Sequence, residues 1–202
     1  MKSLQPKKVN PIDELAKKYR TPKAVQKFLR ALPYNREKRG ETLRSALVAA
    51  KKGQAHCLEA AFLAAAILEK NGYPPTVLSF ESADGLDHVI FVYKENNKWG
   101  AVARSRDEGL HGRPPIFRSL RELAWSYFEP YVDKSGRITA YQIAHLDDTK
   151  ADWRASREDV WKAEKYLLKL KHRALRSSDS RYEKLKAAYL ERGPMKPEKF
   201  WW

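Results

Sequence analysis

Between Leu58 and Lys70 the chain is apolar on nearly every helical face, with Ala and Leu at most positions. A helix of that kind belongs in the centre of a core rather than on its surface. Asn71-Gly72 supplies its stop. The stretches before it carry apolar residues along one stripe only. Ile12, Leu15, Ala16 and Tyr19 recur at helical spacing over Pro11–Arg20. Thr21-Pro22 reads as an N-cap with proline at the first helical position, opening a helix to about Leu32 whose apolar face is Val25, Phe28, Leu29 and Leu32. Leu32-Pro33-Tyr34-Asn35 breaks it, and a third helical stretch, Thr42–Ala50, runs into Lys51-Lys52-Gly53.

After Pro75 the period changes to that of strands. Thr76–Phe80 and His88–Tyr93 read as two strands separated by the polar stretch Glu81–Asp87. Asn96-Asn97 makes a turn into a third, Trp99–Ala103. Arg104–Pro115 reads as a loop, Ser119–Tyr127 as a short helix, and Gly136–Ala144 as a fourth strand. Beyond Thr149 the pattern is helical again, with Trp153, Val160, Trp161, Tyr166, Leu167 and Leu170 apolar and Ser177-Ser178-Asp179 capping a last helix over Ser180–Glu191. Trp125, Trp153 and Trp161 read as helix-packing residues, and Trp201-Trp202 either as a pair docked on the core or as an exposed apolar patch suited to a partner. Helices, then an antiparallel sheet, then helices, is an α+β order. It divides the chain into a basic arm and helix (1–20), a core (21–148) and a basic helical extension (149–202).

The net charge of +15 changes the picture only when divided. Residues 1–52 carry +11, residues 53–150 carry −2, and residues 151–202 carry +6. A near-neutral centre with basic flanks is unlike a uniformly basic nucleic-acid module, although such flanks suit nucleic acid or an acidic partner. Ala60–Leu68, the longest apolar run, is far short of the roughly 20 residues of a membrane span. The basic start lacks the apolar segment of a secretory signal, and the single cysteine forms no internal disulfide. These features lead us to expect a cytoplasmic protein that contacts no membrane.

That one cysteine, Cys57, stands at the predicted start of the buried helix. There the helix dipole and free N–H groups favour a thiolate. His88 opens a strand and is suited to present an imidazole at its end. The remaining histidines, His56, His111, His145 and His172, show no metal-ligand spacing, so neither a metal nor another cofactor is expected. His56, adjacent to the cysteine, is expected to point away from it.

Gly53-Gln54-Ala55-His56-Cys57-Leu58-Glu59-Ala60 followed by an Ala-rich helix resembles the nucleophile segment of transglutaminase-like proteins. Asp87-His88-Val89-Ile90-Phe91-Val92-Tyr93, a polar turn and Lys98-Trp99-Gly100-Ala101-Val102 resemble their histidine strand and the Trp-bearing strand after it. The Thr21–Leu32 helix and Tyr34 are similar to the family's approach to the cysteine. The match covers about Thr21 to Arg118. The resemblance implies a papain-like fold and Cys–His–Asp chemistry on an amide of a protein or peptide, by hydrolysis or acyl transfer. The family often has its aspartate four or five residues past the tryptophan. Here Ala103 and Arg104 stand there, and the first carboxylate downstream is Asp107. Asp107 is therefore the expected third residue, with Ser105 as a weaker substitute and Gln54 as the side-chain donor for an oxyanion. The alternative is an inactive domain of this family that binds nucleic acid or an acidic partner through its basic flanks.

Overall fold

The structure, a computed structural model, describes residues 10–85 and 87–195; Trp201-Trp202 and most of the N-terminal arm lie outside them. The first two helices, α1 (Pro11–Lys18) and α2 (Pro22–Ala31), start where the sequence marks them. Asn10 Oδ1 accepts from the Ile12 amide and Thr21 Oγ1 from the Ala24 amide. Helix α3 (Ala46–Lys52) starts later than expected, with Ser45 as its cap. The amides before it are committed elsewhere: Thr42 N–H donates to Glu37, Leu43 N–H to Asp159 and Arg44 N–H to Glu59.

Helix α4 (Cys57–Glu69) is buried from Leu58 to Leu68. Around it pack α1, α2 and α3, and Trp153 stands 6.3 Å from Phe62 between ring centroids. Trp153 belongs to a turn, not to the helix expected there. Asp147 and Asp152 take up local N–H groups, and the helix α6 (Trp161–Lys169) begins only after them.

The sheet comprises β1 (Thr76–Ser82), β2 (His88–Glu95), β3 (Lys98–Val102), β4 (Arg113–Phe117), β5 (Ile138–His145) and β6 (Arg173–Ala174). Its order is β4-β3-β2-β1-β5-β6, with antiparallel neighbours. Asn96 and Asn97 both take positive φ, 46° and 60°, as a tight turn between β2 and β3 requires. Helix α5 (Leu120–Tyr131), capped by Ser119, covers the face opposite α4. Val89, Phe91 and Tyr93 point to the α4 side, Ile90 and Val92 to the α5 side, and so β2 is apolar without alternation. A last helix, α7 (Asp179–Arg192), rests partly on the α5 side through Tyr182 and Leu185.

Strand β4 begins within the segment read as a loop. Pro114 and Pro115 argue against a central strand, but β4 is an edge whose register with β3 shifts between the Ala101–Arg113 and Trp99–Phe117 pairs, and the two prolines stand in that irregular stretch. Between the loop and the helical layer stands Gln26, fully buried. Its side chain donates to the Ala103 carbonyl at 2.9 Å and accepts from the Ala103 and Gly112 amides at 2.8 and 3.1 Å. A Cβ added at Gly112 would stand 2.1 Å from Gln26 Oε1 and 2.4 Å from the Ala101 carbonyl. Neither wall has room to yield. Gly112→Ala should therefore lower the unfolding free energy by about 1–3 kcal/mol. An unchanged urea midpoint would refute this close approach.

Candidate active site

The head of α4 is built from a reciprocal cap. The His56 amide donates to Glu59 Oε2 at 3.1 Å, while His56 Nδ1 accepts from the Leu58 amide at 3.3 Å. Glu59 is fully buried and also accepts from Asn35 Nδ2, Thr42 Oγ1 and the Arg44 amide, at 3.1, 3.1 and 3.0 Å. A buried carboxylate is tolerable only when its oxygens are occupied in this way. The result is that residues 35–44 are tied across the helix start. Glu59 was missed as a site residue, although His56-x-x-Glu59 before an apolar run has the spacing of a capping box.

Cys57 is the first residue of α4 and is half-buried. Its thiol lines the same cavity as the imidazoles of His56 and His88. Burial raises the thiol's pKa, but the two neighbouring imidazoles outweigh it and pull the thiol well below its ordinary range. The expectation that His56 points away is corrected: its role as N-cap turns the ring back over the first turn. His56 Nε2 also meets the Thr42 carbonyl at 3.0 Å. Burial disfavours charge on this ring, yet the thiolate and Glu59 raise its pKa from 6.5 to about 9. A protonated ring gives up the 3.3 Å contact with the Leu58 amide, because both its nitrogens then carry hydrogen.

His88 begins β2 and is buried, its ring parallel to Phe80 within 8° at 6.2 Å between centroids. Its Nε2 lies 3.2 Å from the Leu110 carbonyl. A carbonyl can only accept, so Nε2 carries the hydrogen and Nδ1 is left as the ring's acceptor. Asp107 lines the same cavity and flanks the 3-10 turn Glu108–Leu110; its amide donates to Ser105 Oγ at 3.4 Å. The group the structure brings to the ring's far nitrogen is thus a main-chain carbonyl three residues beyond Asp107. Gln54 is half-buried and is not among the cavity-lining residues. Tyr34 instead lines the cavity together with Cys57. Burial raises the Tyr34 pKa and keeps the phenol neutral.

The cavity over the sulfur has a volume of about 770 Å³. Tyr34, Asp84, Asp107, Tyr131, Trp161 and Glu164 are among its walls. Carboxylates outnumber Lys and Arg there by seven to three, the reverse of the chain as a whole. Beside it, Arg104 donates to the Leu32 carbonyl at 3.0 Å and to His111 Nε2 at 3.0 Å. Burial and the neighbouring cations lower the pKa of His111 to about 4, so it stays neutral and can accept. Among the described residues no helix is long and apolar enough to cross a membrane.

No protein-family model matches the chain. Tubulinyl-Tyr carboxypeptidase 1 of Mus musculus is 27% identical over 124 residues, covering 54% of this chain and 33% of the relative. The chain therefore spans about a third of that relative's length. Among solved structures, Legionella pneumophila LapG is similar over 71% of this chain and 80% of its own, at 12% identity and a TM-score of 0.40. The α+β frame, the cysteine-headed central helix and the mouse relative fit the transglutaminase-like cysteine family that the sequence resembles.

Two outcomes follow from this geometry. Glu59→Ala strands four donors and should cost about 3–5 kcal/mol of stability in urea unfolding; a loss below 1 kcal/mol would count against the carboxylate as the anchor of the cap. The second concerns pH. A raised His56 pKa stabilises the fold fully below the unfolded value of 6.5 and ceases to as pH rises through about 9. A lowered Cys57 pKa stabilises above the unfolded thiol's value of about 8.5 and ceases to as pH falls through the folded value. Hence the stability difference between wild type and Cys57→Ser should be level from about pH 6.5 to 8.5 and shrink on both sides. A difference that is flat from pH 5 to 10 would mean no such ion pair.

Proposed function

We propose that this protein is a cysteine-dependent amidase acting on a peptide or protein amide, with Cys57 as nucleophile and His88 as base and acid. The observation that carries this reading is the cavity shared by the thiol at the helix head and the His88 imidazole, whose Nε2 is held by the Leu110 carbonyl.

The steps follow from the groups present. Cys57 attacks as the thiolate with His88 protonated: the sulfur bonds to the amide carbon and the carbonyl π pair moves to oxygen. That oxygen gains negative charge, for which the Cys57 amide at the helix head and the Tyr34 hydroxyl on the cavity wall are the donors to test. As the C–N bond breaks, His88 returns the proton to the departing amine. Water then attacks the thioester, giving its proton to His88, and the carboxylic acid leaves as the thiol reforms. The Leu110 carbonyl keeps the ring in the tautomer with Nδ1 toward sulfur and stabilises the imidazolium, the part that a carboxylate takes in a triad. Asp107, on the cavity wall, is then a candidate for contact with substrate rather than with the ring.

The mouse relative is by name a carboxypeptidase. The first substrate class to test is therefore a peptide cut at its C-terminal bond. A carboxylate-rich wall favours neutral or cationic side chains next to that bond and disfavours nucleic acid within the cavity.

Peptide libraries with free and with amidated C-termini, read by mass spectrometry, distinguish terminal from internal cleavage. Cys57→Ala should abolish turnover. His88→Ala should lower kcat by at least about a hundredfold and slow alkylation of Cys57 by iodoacetamide at pH 7. Equal alkylation of wild type and His88→Ala would overturn the reading.

A further inference from the structure

We infer that Arg113 is a positioning residue for His88: its guanidinium holds the chain on either side of Leu110 so that the Leu110 carbonyl is aimed at the ring. The inference rests on the reading of His88 as the base.

Arg113 is the first residue of β4 and is fully buried. Its Nη1 donates to the carbonyls of His111 and Gly112 at 2.7 and 3.2 Å. Its Nη2 donates to the Gly109 carbonyl at 2.6 Å and to the Ser126 carbonyl of α5 at 3.1 Å. Its Nε reaches Ser126 Oγ at 3.2 Å. The carbonyls of residues 109, 111 and 112 are thus gathered on one cation. The carbonyl between them, that of Leu110, is the one that meets His88 Nε2. One planar fork sets both directions.

A second residue acts on the same loop. The Tyr127 hydroxyl donates to the His111 carbonyl at 2.9 Å, and the Arg113 guanidinium lies 4.0 Å from the Tyr127 ring centre. That ring stands 6.2 Å from His88. A buried guanidinium loses its hydration at a cost of several kcal/mol. Packing alone would be served by an apolar side chain of similar length without that cost. What an apolar chain cannot do is hold three loop carbonyls in one plane, and Lys, a point donor on a flexible stem, does so poorly.

The test uses the full chain with Arg113→Met, Arg113→Lys and Tyr127→Phe, and reads the pH dependence of Cys57 alkylation by iodoacetamide. Folding is followed separately by circular dichroism. His56, Tyr34, Tyr131 and Glu164 also face the thiol, and His111 faces His88; all five are left in place. Arg113→Met should move the alkylation inflection up by about one pH unit, a tenfold loss of rate below the inflection. Arg113→Lys should fall between, and Tyr127→Phe should shift less in the same direction. On a cleaved peptide, kcat should fall with KM little changed. A merely structural role would lower the folded fraction and leave the inflection alone. If Arg113→Met does not fold, the other two variants decide. Folded variants with the wild-type inflection overturn the role of Arg113. A wild-type thiol that reacts like an ordinary one instead overturns the Cys57–His88 reading, and this inference with it.

Discussion

A helix buried along its whole length can meet solvent only at its ends, and α4 is such a helix. Its C-terminal end closes against α1, where Asn71 Nδ2 donates to the Ala16 and Ile67 carbonyls. Its N-terminal end, with free N–H groups and the positive pole of the dipole, opens on the cavity. Chemistry in this fold is therefore confined to one small patch by the apolar packing of everything behind it. Glu59 makes that patch possible. It turns the cap, the Asn35–Arg44 segment and His56 into one hydrogen-bonded unit around a carboxylate with no exposure to water.

The sheet supplies the other half of the site. The β1–β2 register pairs Phe80 with His88, so the strand that stacks the imidazole is the neighbour of the strand that carries it. The loop between β3 and β4 then runs back along the sheet end, held by Gln26 on the α2 side and by Arg113 on the α5 side. Two layers that share no strand thus fix one loop. That is a stiffer mounting than a loop anchored at its ends alone.

Much of this is legible in the sequence because local rules write it there. Thr21-Pro22 dictates the start of α2, the apolar circumference of Leu58–Leu68 dictates burial, and Asn96-Asn97 dictates a hairpin. The α+β class and the places of Cys57 at a helix head and His88 at a strand start follow from those elements. What is not legible is contact made by groups that every residue has. No side chain announces that the Leu110 carbonyl faces His88, and a search for a carboxylate leads to Asp107 instead. Nor does Tyr34, 23 positions before Cys57, announce that it lines the same cavity as the sulfur. Strand β4 is hidden by two prolines that only an edge position excuses, and Trp153 by aspartates that cap turns rather than a helix.

The use of a carbonyl on the ring has an electrostatic consequence. A carboxylate in that place would bring a negative charge to a site whose walls already carry Asp87, Asp107 and Glu164, and whose thiol must itself become an anion. Like charges so close disfavour ionisation of the group last to titrate. A carbonyl fixes the tautomer through its partial charge and neither gains nor loses a proton in the working range. A main-chain carbonyl thus orients the ring without adding a further negative charge to an acidic cavity, and Gln26 and Arg113 hold the loop that carries it.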